Sequence, residues 1–138
     1  MKPRLTVVLE LRQAVETGAK RELGRLERER AGLHDQLGAL HRRLVDASAA
    51  PVPMALREQL STFRLAMRHA IAEQGARLAA HDHLIDGARV ALAAAHREVK
   101  AIEAIRSRDV RTEAARQARR EGRSNDEFAA RVRLGALA

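Results

Sequence analysis

The six histidines are the residues with the most obvious chemical capacity in this chain. A neutral imidazole ligates metals and carries protons near neutral pH. His81 and His83 stand two positions apart, and His34 and His41 stand seven apart. On an α-helix, positions i and i+2 point about 200° away from each other, so His81 and His83 cannot grip one ion. His34 and His41 share a face but lie about two turns apart, too far to close a ligand sphere without help. All six therefore read as solvated or packing side chains, with His81 tolerated inside a seam. No serine, histidine and aspartate set suggests a nucleophile. The eight glycines are scattered singly, so no phosphate-cradling loop is present. A non-enzyme is expected, with no cofactor, no metal and no small-molecule substrate.

The arginines offer a second chemistry. Residues 106–123 hold Arg106, Arg108, Arg111, Arg116, Arg119, Arg120 and Arg123 against Asp109, Glu113 and Glu121, a net +4 out of the chain's +8. Such a run can contact phosphates, dock an acidic protein surface, or simply form a solvated helix face with pairs such as Glu113–Arg116. It lacks interleaved aromatics and any nucleic-acid fold signature. Nucleic acid is therefore the least favoured of the three partners. A third candidate is apolar. Leu56, Phe63, Leu65 and Met67 concentrate hydrophobic surface at one end of a helix, where core filling and partner docking both explain them.

The elements that must position these residues are helical. Leu78, His81, Ile85, Ala88, Leu92, Ala95, Val99 and Ile102 recur at alternating spacings of three and four, the seam of a coiled coil. Upstream, Leu56, Leu60, Phe63, Met67, Ile71 and Gln74 lead into it, with a stutter at Met67–Ile71. A first helix carries Leu5, Val8, Leu11, Val15, Ala19, Leu23, Leu26, Leu33, Leu37, Leu40 and Leu44, with Arg30 filling one seam position and a stutter around Val15–Leu23. Pro3 suits its first turn. Gly18, Gly24, Gly32 and Gly38 each weaken this helix by about 1 kcal/mol relative to Ala, so packing must hold it.

Between the two lie Pro51 and Pro53, which cannot sit inside a helix. Folding the chain there pairs the seams layer by layer: Leu44 with Leu60, Leu26 with Leu78, Leu23 with His81, Leu5 with Val99, and Arg30 with Gln74 as one polar layer that fixes register. The expected fold is all-α: a long antiparallel two-helix coiled coil, or helical hairpin, with a C-terminal helical extension. The domain is expected to be single and elongated over residues 1–138, with helix 1 at about 3–47, the turn at 48–53, helix 2 at about 54–121 and a tail at 122–138. The paired part would be roughly 65 Å long. Ser124 with Glu127 matches a capping box, so the tail either restarts a short helix there or continues the second helix until it frays. Residues 103–138 have no partner within the hairpin.

Composition agrees. Only Phe63 and Phe128 are aromatic and there is no cysteine, so a thick core around a cleft is not expected. No apolar run approaches ~18 residues, and the charges of Glu10 and Arg12 interrupt any signal-peptide core. A cytoplasmic protein, monomeric when isolated, is expected.

Three stretches resemble a known family. Arg4-Leu5-Thr6-Val7-Val8-Leu9-Glu10-Leu11-Arg12, Glu98-Val99-Lys100-Ala101-Ile102-Glu103-Ala104-Ile105-Arg106 and Arg120-Glu121-Gly122-Arg123-Ser124-Asn125-Asp126-Glu127-Phe128-Ala129 resemble segments of the FliJ family of bacterial flagellar export proteins and its YscO-type relatives in virulence type III secretion. Gly122 stands where that family usually has Gln and Arg123 where it has Lys, and the family's N-terminal and tip aromatics are missing. The resemblance implies a stalk-like coiled coil whose joined termini enter a hexameric export ATPase while its far end reaches the cytoplasmic domain of the export gate membrane protein. It also implies contact with export chaperones and a cytoplasmic location at the periphery of the inner membrane. Arg119, Arg120, Glu121, Asp126 and Glu127 would lie at the ATPase-binding base, with Arg106, Arg111, Arg116, Arg123 and Phe128 extending it and Leu56, Phe63, Leu65 and Met67 at the tip. The competing reading is a basic nucleic-acid-associated coiled coil.

Overall fold

The computed structural model describes residues 4–49 and 51–137, with side chains as far as Ala136. Pro3, expected in the first helical turn, lies outside the described residues. Helix α1 runs from Arg4–Ala49 and helix α2 from Arg57–Leu137. Both are rich in Ala, Leu, Arg and Glu, which lose little rotamer freedom in a helix. Pro51 and Pro53 end the first helix and open the second. Pro53 is extended, with φ −54° and ψ 147°, and its carbonyl accepts the Leu56 N–H at 2.9 Å to close the short 3-10 turn Met54–Leu56. No strand occurs among the described residues, and the two helices pack against each other as an all-α helical hairpin.

Contacts divide the chain into two compact units, Ala14–Ala95 and Met1–Gln13 with His96–Ala138. In the first, Leu26 and Ile85 are buried, and Leu23, Leu33, Leu37, Leu40, Met67, Ile71, Leu78 and Leu92 are half-buried. A two-helix seam hides each side chain on one flank only, so complete burial is rare. Polar bonds cross between the helices. Arg30 Nε donates to Asp82 Oδ1 at 2.5 Å. Gln74 Nε2 donates to the Leu33 carbonyl at 3.2 Å and to Gln36 Oε1 at 2.9 Å, which satisfies the one buried polar side chain of the seam. His81 Nε2 lies 3.1 Å from the Leu26 carbonyl and 3.2 Å from Glu29 Oε2. In the second unit Leu9 and Val99 are buried, and Arg12 Nη1 donates to Glu98 Oε2 at 2.8 Å.

Four sequence expectations change. Arg30 does not face Gln74: Gln74 and His81 meet residues three and six positions farther along α1 than the folded-back pairing gives them. Both seams alternate spacings of three and four, so sliding one helix by a single layer again sets seam against seam, and the apolar pattern alone cannot tell the registers apart. The two stutters are absent as well. Leu9, 5% exposed, occupies the seam in place of Val8 and Leu11, at 40% and 63%, and half-buried Glu16 takes the place of exposed Val15. In α2, half-buried Arg64 replaces Phe63, which is 41% exposed. An unbroken three-and-four alternation wins over local hydrophobicity because the rest of the seam fixes the helical phase. Finally, Ser124 caps nothing. Helix α2 is continuous through 122–137, so the matched capping box sits mid-helix.

Candidate partner-binding surfaces

From Ala104 to Ala136 every residue of α2 is exposed. Helix persists here with every described side chain exposed because alanines, arginines and glutamates propagate it well. Local bonds support it: Arg116 Nη1 to Glu113 Oε2 at 3.5 Å, Arg111 Nε to the Ser107 carbonyl at 3.4 Å and Thr112 Oγ1 to the Arg108 carbonyl at 2.9 Å.

At about 100° per residue, the expected base residues do not form one patch. Arg116, Arg119, Arg120 and Arg123 share a single arc of α2, with Glu127 inside it and Asp126 at its edge. Glu121 and Phe128 fall on the opposite side, and Phe128 is 69% exposed. Arg106 and Arg111 belong to a separate feature, a groove in the unit that contains the N-terminal part of α1. Leu9, Gln13, Glu103, Arg106, Ser107, Val110 and Arg111 line it. The groove sets two guanidiniums beside an apolar floor.

The tip residues are likewise divided. Leu56 is exposed in the 3-10 turn, Phe63 lies exposed beside the seam, and Met67 is half-buried within it. Leu65 is exposed and, two positions from Phe63 and Met67, points the other way.

Sequence reasoning missed two features. Arg64 enters the seam with its Nε buried and without a hydrogen-bond partner; unbroken spacing from Leu60 to Met67 would have found it. A second groove, lined by Glu29, Gly32, Leu33, Gln36, Arg77, Ala80, His81 and Leu84, is mostly apolar because the glycine and alanine leave the Leu33 and Leu84 side chains uncovered. Among the charges, hydrogen bonding to Arg30 holds the Asp82 carboxyl below its ordinary value, aided by attraction from Arg30, His81 and His83. Hydrogen bonding to Arg25 lowers Glu22 in the same way.

The family model for the flagellar FliJ protein matches residues 1–135. The chain belongs to the flagellar FliJ family. Neither the curated proteins nor the solved structures gave a match. Family membership makes the chain a component of flagellar type III protein export that interacts with the export apparatus, in a family without enzymatic activity. Among the described residues no helix is long and apolar enough to cross a membrane.

Proposed function

We propose that the chain is the stalk and escort component of flagellar export: one end binds the export ATPase hexamer, and the other reaches the cytoplasmic domain of the export gate and the export chaperones. The observation that carries this reading is the bare helix Ala104–Ala136, which keeps helical form with an arginine arc free for a partner. A guanidinium fork pairs in bidentate fashion with carboxylates, so Arg116, Arg119, Arg120 and Arg123 suit an acidic ring interior. Arg106 and Arg111, on the groove beside Gln13 and Ser107, suit an acidic partner side chain. Leu56, Phe63 and Leu65 supply the apolar contact at the tip, and the protein works in the cytoplasm at the periphery of the inner membrane.

Titrating purified chain into its cognate ATPase tests the base. Arg116→Glu, Arg119→Glu, Arg120→Glu and Arg123→Glu together are expected to weaken binding at least tenfold while the helical signal stays unchanged. Equal binding by the quadruple variant contradicts this assignment, and tighter, steeply salt-dependent binding to DNA than to the ATPase favours the nucleic-acid reading.

A further inference from the structure

The face of α2 opposite the arginine arc carries a pattern that ATPase binding does not require. Val110, Ala114 and Ala118 form one stripe, and Phe128, Val132 and Ala136 continue it. The second triplet follows the first by 18 residues, about five helical turns, so both fall on one line. Val110, Phe128 and Val132 are 63%, 69% and 54% exposed. Between the triplets, Glu121 and Asn125 occupy the same stripe.

We propose that this stripe is a self-association surface on which two copies of the chain pair their C-terminal helices antiparallel, about a twofold axis near Arg123. In that register each large side chain meets an alanine: Val110 faces Ala136 of the second copy, Ala114 faces Val132, and Ala118 faces Phe128. Glu121 faces Asn125, whose amide N–H donates to the carboxylate, a central polar layer that specifies register. Along one flank Glu113 faces Arg131. Symmetry repeats every one of these contacts. The parallel arrangement instead sets Phe128 on Phe128, leaves Ala114 and Ala118 facing their own copies across a gap, and opposes two Glu121 carboxylates, so it is disfavoured on both volume and charge. The stripe is about 40 Å long, comparable with short natural coiled-coil seams. The closed hairpin alone predicts a monomer, and the residues past Glu103 are the ones it leaves exposed. This inference does not rest on ATPase binding and is tested on the chain alone.

Sedimentation equilibrium of the full chain is expected to show a concentration-dependent dimer, and Phe128→Asp with Val132→Asp is expected to weaken association at least tenfold. Both sites are exposed, so helicity should persist. Glu113→Arg or Arg131→Glu alone should weaken the dimer, and the two together should restore it. Orientation is read by cysteines, which the chain otherwise lacks. Mixing Ala114→Cys protein with Val132→Cys protein is expected to yield the mixed disulfide, with little disulfide from either alone, because like positions stand roughly 27 Å apart. A monomer throughout, association indifferent to the aspartate pair, or ready Ala114→Cys self-crosslinking overturns the proposal.

Discussion

Asp82 shows how a single exposed-edge contact conditions this molecule. Its carboxyl accepts from Arg30 across the hairpin, and that bond holds its pKa below the ordinary carboxylate value. A depressed acid contributes stability above its unfolded value, about 3.9, and loses it as pH falls toward the folded one. Thermal melting of the wild type should therefore drop between about pH 5 and pH 2 by more than that of Asp82→Asn, which has no charge to lose. Parallel pH profiles for the two proteins would show that the pair adds nothing. Glycines act through the backbone instead. A methyl group added at Gly18 or Gly32 meets nothing within 4 Å, so Gly18→Ala and Gly32→Ala should each stabilise by about 0.5–1 kcal/mol, read as a higher melting temperature. Destabilisation at Gly32 would mean that the groove beside Leu33 is tighter than the structure has it.

At the scale of elements, the two helices and their turn were legible in the residues because the cues were strong and local. Pro51 and Pro53 could only break a helix, and the Leu78–Ile102 spacing could only be a seam; Ile85, Ala95 and Val99 are indeed buried. The phase of the weaker stretches was not legible. Where spacing and hydrophobicity disagree, as at Val15 against Glu16 and Phe63 against Arg64, hydrophobicity points to two stutters that the helices do not have. Register was ambiguous for a related reason: a seam spaced alternately three and four matches itself after a slide of one layer, and only the long polar side chains at Arg30, Gln74 and His81 decide. The same logic predicts that Arg64 is a misfit. Its buried, unpartnered Nε carries a desolvation cost of about 1–3 kcal/mol, so Arg64→Leu should raise the unfolding midpoint in urea with little change in slope. Ile85→Ala should lower the midpoint and remove about 2–3 kcal/mol of stability, toward the modest end for a core deletion because a two-helix seam can relax. An unchanged midpoint in Arg64→Leu would indicate that the guanidinium reaches a partner in solution.

For the whole molecule, the surface assignments rest on what the hairpin leaves over. The exposed stretch proposed as the site was legible as a region, because helix 1 runs out before helix 2 does. Its internal layout was not, since a residue list hides the fact that Arg116, Arg119, Arg120 and Arg123 share one arc whereas Phe128 and Glu121 take the other. The two proposals use opposite faces of one helix, the arginine arc for an acidic protein surface and the apolar stripe for a second copy. The central claim is that this bare helix, and not the seam, engages the export ATPase. ATP hydrolysis by the purified cognate ATPase, measured with the full chain and with a chain ending at Ile105, tests it most directly. The full chain should stimulate turnover severalfold, and the shortened chain should fail to do so while its far-ultraviolet spectrum shows that the hairpin remains helical. Equal stimulation by the two proteins would contradict the account.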